Sequence, residues 1–227
     1  MCIRDRDNTI LKDQLNLMRV GEPMYVFYGY VEDGYDENGH IVYKNMDDDP
    51  AITAADKTII GDPNPDFLVN LTTAVSYKGF TLSAFFQSSI GNDIYSLSMA
   101  AQAYDYGYNG NTLREVYYNH WTPENPTAKY PNLDQTSYKM SDRFVYDGSF
   151  VRLKNLELAY DVPCARSKFI KRARVYVSAQ NLFTITSYPF WDPDINANGG
   201  GSSMIQGVDS YCYPSARTYT IGCRLTF

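Results

Sequence analysis

An acidic stretch early in the chain has the residue spacing of a calcium-binding loop. Asn45, Asp47, Asp49 and Asp56 occupy the first, third, fifth and twelfth positions of such a loop, where oxygen ligands wrap a Ca²⁺ ion. Pro50 stands where the turn needs glycine, and Asp56 replaces the usual bidentate glutamate. The sequence therefore leaves open a Ca²⁺ site and a solvated acidic loop, and it favours the solvated loop.

Residues that could catalyse a reaction form no recognisable constellation. His40 and His120 are the two histidines, and neither has a neighbouring serine or cysteine in a motif. The four cysteines lack the paired spacing of zinc or thioredoxin sites. Carboxylate pairs for glycoside hydrolysis stay open, although loop acids are ordinarily solvated. We expect a protein that is not an enzyme and has no cofactor beyond the doubtful Ca²⁺.

Aromatic side chains in the long connections are the candidate ligand or partner contacts. Flat rings stack on the apolar faces of sugars and anchor partner surfaces. The alternative is that these rings pack the connections together or lie at a membrane interface. The candidates are Tyr104, Tyr106, Tyr108, Trp121, Tyr188, Phe190 and Trp191.

The strands that must position these groups are clearest at the end of the chain. From Ala216 to Phe227, apolar and polar residues alternate strictly, so that Ile221 and Leu225 lie on one face and Thr220 and Arg224 on the other. About ten residues with this pattern are typical of outer-membrane barrels, which are apolar towards lipid and polar towards the lumen. The alternative is the last strand of a soluble β-sandwich.

Four further segments alternate in the same way. A tight hairpin at Lys78 and Gly79 is predicted between the first two, and a phase slip near Asn155 predicts a bulge. Residues 90–148 and 187–214 are long connections, which strand parity places outside the cell. The predicted strands are Phe67 to Tyr77, Phe80 to Ser89, Ser149 to Asp161 and Arg172 to Thr184, with weaker ones at Tyr25 to Val31 and His40 to Lys44.

Composition excludes other classes. The net charge of −6 argues against nucleic acid as a partner, because phosphate binding needs a basic face. No segment approaches the ~18 apolar residues of a membrane helix, so contact with a bilayer would be made by strands. The 21 tyrosines suit interfacial girdles and sugar-facing surfaces. The predicted fold class is therefore all-β and antiparallel.

Five stretches resemble the SusC/RagA family of TonB-linked outer-membrane transporters, in the order found in that family. The similarity extends over almost the whole chain after its first several residues. The stretches are Gly21 to Pro23 with Tyr28 to Tyr30, Ile59 to Pro65, Tyr77 to Phe80, Asp147 to Asn155, and Ala179 to Thr184 leading to Asp192 and Pro193.

The resemblance implies the C-terminal strands of a transmembrane β-barrel of about 22 strands with long extracellular loops. It also implies a SusD-like surface lipoprotein as partner, energy from the TonB complex, and import of oligosaccharides or peptides through the Gram-negative outer membrane, in contact with its lipid. We expect residues 1–6 to be a cloning or assembly scar and residues 7–227 to be barrel without the plug domain. The alternative function is a secreted, soluble β-sandwich that binds carbohydrate.

Overall fold

A computed structural model describes residues 9–10, 15–104, 111–135, 137–164, 169–195 and 205–227. The chain divides into two compact units. The loop unit comprises Met1–Asn64, Asn92–Asp147 and Ile195–Cys212, and the sheet unit comprises Pro65–Gly91, Gly148–Asp194 and Tyr213–Phe227.

Fourteen strands and two α-helices are present in the described residues. The strands are β1 (Thr9–Ile10), β2 (Asn16–Met18), β3 (Val26–Gly29), β4 (Glu32–Tyr35), β5 (Ile41–Tyr43), β6 (Thr58–Gly61), β7 (Phe67–Tyr77), β8 (Phe80–Ile90), β9 (Asp93–Ser96), β10 (Val145–Asp147), β11 (Phe150–Val162), β12 (Arg172–Thr186), β13 (Val208–Asp209) and β14 (Thr218–Thr226). The helices are α1 (Leu97–Tyr104) and α2 (Arg114–Tyr118), and 3₁₀ turns cover Ala54–Asp56 and Asp142–Phe144.

The sheet unit is one antiparallel sheet of five strands in the order β14-β12-β11-β8-β7. Within this sheet, neighbouring strands follow one another in chain order, although β9 and β10 lie between β8 and β11 in the sequence, and β13 lies between β12 and β14. This confirms the five strands predicted from alternation, with ends that differ by at most two residues. The final strand begins at Thr218, two positions later than predicted.

The two faces of this sheet differ in chemistry along rows that cross all five strands. One row consists of Val75, Leu82, Leu158, Val177 and Ile221. The adjacent row, on the opposite face, consists of Ala74, Ser83, Glu157, Ser178 and Thr220. Because successive side chains alternate in direction, the sheet has an apolar face and a polar face.

Side chains of the apolar face are open to the surroundings. Leu82 is 48% exposed, Val175 45%, Ile221 83% and Leu225 46%. A β-sandwich would bury such residues under a second sheet. Their exposure argues against the sandwich alternative.

Local backbone features set the register of the sheet. Lys78 and Gly79 have φ values of 47° and 87°, as a two-residue type I′ hairpin needs. The pairing of β11 with both neighbours shifts between Leu153 and Asn155, which confirms the predicted bulge. Asn181 in β12 has a φ of 52° opposite this shift.

A glycine near the end of the chain accommodates an aromatic ring. Gly222 in β14 pairs with Tyr176 in β12, and a Cβ at position 222 would collide with the tyrosine ring. The ring of Tyr176 therefore lies against the bare backbone of the edge strand.

The loop unit contains three small sheets. Their strand orders are β1-β2-β3-β6, β10-β9-β13 and β4-β5. All pairs are antiparallel except β13 with β9. The two weakly alternating segments predicted here appear as β3 and β5.

The loop unit also has a buried aromatic core. Phe27, Tyr95 and Phe144 are fully buried, and the ring of Tyr95 lies 6.0 Å from that of Phe27 and 5.9 Å from that of Phe144. Residues 90–148, which the sequence analysis gives as a long connection, contain β9, α1, α2 and β10. Buried apolar residues within the segment, such as Ile94 and Val116, explain its order.

No described helix has the length and apolar character needed to span a membrane.

Candidate functional site

A buried arginine organises one end of the polar face. Arg152 in β11 lies directly opposite Thr184 in β12, and its side chain is only 2% exposed. Its Nε donates to Thr184 Oγ1 at 2.9 Å. Its Nη1 lies 3.3 Å from both Ser215 Oγ and Asp194 Oδ2, and its Nη2 donates to Asp192 Oδ1. One guanidinium thus ties two strands to the segment after β12 and to the residues before β14.

Asp192 is the second organising group. Its Oδ2 accepts the Ser215 backbone N–H at 2.9 Å, and its Oδ1 accepts the Asp194 N–H at 2.9 Å as well as the Arg152 guanidinium. Burial favours the neutral carboxyl, but these two N–H groups and Arg152 outweigh it and lower the pKa of Asp192. The carboxylate therefore remains charged and fixes the backbone on both sides of the cluster.

A pocket of about 370 Å³ lies beside this cluster, within the sheet unit. Its volume falls within the range of ~300–1,000 Å³ that is typical of small-molecule sites. Residues in its lining include Arg152, Asn181, Thr184, Trp191, Asp192 and Arg217.

Two lining side chains are available to a ligand. Trp191 is 58% exposed, and its ring lies 6.0 Å from that of Phe190. Arg217 is exposed, and its guanidinium has no ion-pair partner within the described parts of the chain. Arg152 is paired with Asp192 and Asp194, so the positive charge that a ligand in this pocket can reach is that of Arg217. The pocket can therefore hold a negative group next to an aromatic face.

The predicted aromatic contacts have different environments. Tyr188 is only 4% exposed and its N–H donates to Thr186 Oγ1, so this ring packs within the protein. Trp121 is partly buried, and a Cβ at Gly39 would collide with its indole. For Tyr188 and Trp121 the packing alternative is therefore favoured, whereas Trp191 lines a pocket.

The tyrosine run is only partly described. Tyr104 is the last residue of α1, and only its backbone is described. Tyr106 and Tyr108 lie outside the described residues.

The acidic loop uses its oxygens to hold its own backbone. The side-chain oxygens of Asn45, Asp47 and Asp49 each accept the N–H two residues further on, at 2.9–3.1 Å. Both carboxylate oxygens of Asp56 accept N–H groups at 2.7 Å, from Met46 and from residue 53, and these bonds lower the pKa of Asp56. No group of three His, Cys, Asp or Glu in the described residues could hold a metal ion. The Ca²⁺ site stays a prediction. Asn45, Asp47 and Asp49 are exposed, as in a solvated loop, whereas Asp56 is buried and serves to hold the backbone of the loop.

The histidines are held by ordinary contacts. His40 Nε2 lies 2.8 Å from Asp134 Oδ1, and His120 Nδ1 lies 2.8 Å from the Tyr117 carbonyl oxygen. These contacts are a carboxylate and a backbone carbonyl, and neither joins a histidine to a nucleophilic serine or cysteine. The geometry therefore gives no support to nucleophilic catalysis.

Trp191 was a candidate from the sequence, but sequence reasoning missed the charged residues of the pocket, Arg152, Asp192 and Arg217. Arg152 lies in one of the stretches that carry the family resemblance, and Asp192 follows another. The signal was therefore present, but 40 positions separate the two residues and no spacing rule connects them. Arg217 was unremarkable in the sequence because one arginine before a strand has no special meaning.

Known proteins similar to this chain are TonB-dependent receptors. TonB-dependent receptor P3 of Formosa agariphila is 32% identical over 238 aligned positions, which cover 96% of this chain and 23% of that protein. TonB-dependent receptor SusC of Bacteroides thetaiotaomicron is 30% identical, with coverage of 92% and 20% respectively. The chain thus spans about a fifth to a quarter of the length of these relatives. No family model matches the chain.

Solved structures give the same result for the fold. A chain of the RagAB peptide transporter matches 99% of this chain with a TM-score of 0.81 and 25% identity. The RagAB peptide importer in an open-open state matches 100% of this chain with a TM-score of 0.80 and 24% identity. In each case the chain corresponds to 25% of the solved chain.

Proposed function

Because the chain belongs to the SusC/RagA family of TonB-dependent receptors, we propose that it is the C-terminal barrel segment of an outer-membrane nutrient transporter. The five strands of the sheet unit cross the outer membrane in this proposal. Further strands of a longer polypeptide complete a barrel of about 22 strands.

The observation that carries this proposal is the two-faced sheet. Its apolar face is exposed over all five strands, and water is a poor solvent for such a surface. Lipid tails solvate it at no cost, while the polar face borders a wet lumen. Among the described residues, the outer edges of β7 and β14 have no partner strand. A bilayer does not tolerate unpaired backbone groups, so in this proposal both edges pair with other strands of the intact barrel.

Substrate and partners follow from the relatives. RagAB is described as a peptide transporter, and SusC is a TonB-dependent receptor. We infer that the intact protein imports oligosaccharides or peptides, together with a SusD-like lipoprotein and with energy delivered through TonB. The exposed ring of Trp191 is the aromatic contact best supported by its position.

The decisive experiment compares uptake and assembly in the native bacterium. Deletion of the gene that encodes the full-length protein should abolish growth on the cognate oligosaccharide or peptide and leave growth on glucose unchanged. An affinity tag on the full-length protein should recover a surface lipoprotein from outer-membrane extracts. Growth of the deletion strain on every glycan and peptide mixture supplied would overturn the proposal.

A further inference from the structure

The pocket beside Arg152 combines features that a ligand with one particular chemistry would satisfy. Its volume of about 370 Å³ suits one or two sugar or amino-acid residues rather than a whole polymer chain. The cluster of Arg152 and Asp192 forms its rigid wall, since both side chains are almost fully buried. The wall formed by Arg152 and Asp192 therefore has a fixed shape before a ligand binds.

The charge in the pocket is divided between a satisfied pair and a free cation. Arg152 and Asp192 neutralise each other, and Arg152 also binds Asp194, so neither member of the pair is available to a ligand. Arg217 is different, because its guanidinium is exposed and meets no acidic side chain in the described residues. A planar guanidinium with several N–H donors matches a carboxylate in two-point contact.

Trp191 is the second group in the pocket that could contact a ligand. Trp191 exposes more than half of its side chain and lies in the same pocket lining as Arg217. An indole face attracts flat apolar surfaces, including the C–H face of a sugar ring and another aromatic ring. A ligand that contacts both groups carries a negative charge close to such a surface.

We infer that this pocket is a subsite for a carboxylate attached to a flat-faced residue, with Arg217 binding the carboxylate and Trp191 stacking on the face. Two residues have this chemistry, a uronic acid of an oligosaccharide and the C-terminal aromatic residue of a peptide. The inference rests on the proposed transport function, because it names the part of the transported molecule that this pocket holds.

The test measures binding of small probes to the full-length protein in detergent micelles by ligand-observed NMR. One probe pair is methyl β-glucuronide and methyl β-glucoside, and the other is N-acetyl-phenylalanine and its amide. Each pair differs only in the carboxylate. We expect the charged member of one pair to bind. Its neutral partner should bind at least about tenfold more weakly, since a hydrogen bond to a charged group contributes that much affinity. The pair that responds identifies the source of the carboxylate.

Matched variants assign the binding to this pocket. Arg217→Gln should weaken the charged probe about tenfold, and Arg217→Lys should restore part of the loss. Arg224→Gln is the control, because it removes the same charge from an exposed position of the same segment, opposite Arg174 in β12. Trp191→Leu should weaken both members of the responding pair. Arg217 is exposed, so abundance of the folded protein should not change.

Three results would overturn the inference. They are equal binding of the charged and neutral probes, equal effects of Arg217→Gln and Arg224→Gln, and absence of binding by both carboxylates. Each leaves the transport proposal intact if the deletion strain still fails to grow on its nutrient. Growth of the deletion strain, in contrast, would overturn the transport proposal whatever the probes do.

Discussion

The loop unit and the sheet unit place their apolar side chains in opposite ways. In the loop unit, Phe27, Tyr95 and Phe144 form a closed core around which short strands and helices are arranged. In the sheet unit, long strands expose residues such as Ile221 and Val75 along one face. The core of the loop unit excludes water, whereas the exposed apolar face of the sheet unit is the surface that would contact lipid in the proposed barrel.

The largest expected effect concerns the closed core. Phe144→Ala should destabilise the loop unit by about 3–5 kcal/mol, because the ring is fully buried between aromatic neighbours and a cavity remains. Amide hydrogen exchange of the full-length protein in detergent measures the loss. Phe67→Ala is the control, since the ring of Phe67 is exposed on the sheet unit. Equal destabilisation by both changes would contradict the view that the loop unit has a closed core and the sheet unit has an exposed apolar face.

The ion pair between Arg152 and Asp192 is buried, whereas most of the sheet unit is exposed. Asp192→Ala should cost about 3 kcal/mol, because it leaves the buried guanidinium of Arg152 without its main partner. Asp194→Ala is the matched control, since Asp194 also contacts Arg152 but is more exposed, and it should cost much less. Proteolysis of the segment after β12 measures the effect. Similar cleavage of both variants would show that Asp192 has no special role.

The same pair predicts a pH dependence. Because the pKa of Asp192 is lowered in the folded protein, its stabilisation is fully present above the ordinary aspartate pKa of about 3.9. The stabilisation is lost as the pH falls through the lower pKa of the folded state. Protection of this segment should therefore persist at pH 5 and be lost only when the pH falls below the ordinary aspartate pKa. Loss between pH 7 and pH 5 would contradict this assignment.

The exposed face can be tested with a charge. Ile221→Arg should lower the stability of the membrane-inserted protein by about 2 kcal/mol or more, because the charge would meet the hydrocarbon core. Thr220→Arg places the same charge one residue earlier on the polar face and should be tolerated. Refolding of the full-length protein into lipid vesicles, followed by gel mobility without heating, measures the folded fraction. Equal yields would remove the basis for a lipid-facing surface.

The smallest effect concerns a cap in the loop unit. Thr53 Oγ1 accepts the Ala55 N–H at 3.2 Å, and the Asp56 carboxylate accepts the Thr53 N–H in return. Thr53→Ala should cost about 1 kcal/mol, and Thr53→Ser should restore most of it. Thr220→Ala on the polar face should cost almost nothing, since this side chain is exposed. Amide hydrogen exchange around residue 53, followed during denaturant titration, measures the local free energy of unfolding in the three variants.

The sheet unit was predictable because period-two alternation is a local signal. It located β7 within its observed bounds and revealed the bulge beside Asn155 from a change of phase. The loop unit was not predictable in detail, because its strands have two to four residues and its core is assembled from distant parts of the chain. The pocket shares this property, since Arg152 and Asp192 meet only when β11 and β12 have paired.

The contact between Tyr176 and Gly222 has a consequence for how relatives diverge. The ring occupies the space that any side chain at position 222 would need. A larger residue at 222 is therefore compatible only with a smaller residue at 176, or with a ring that points elsewhere. Among homologues these two positions should vary together as a coupled pair, with glycine at one accompanying an aromatic residue at the other.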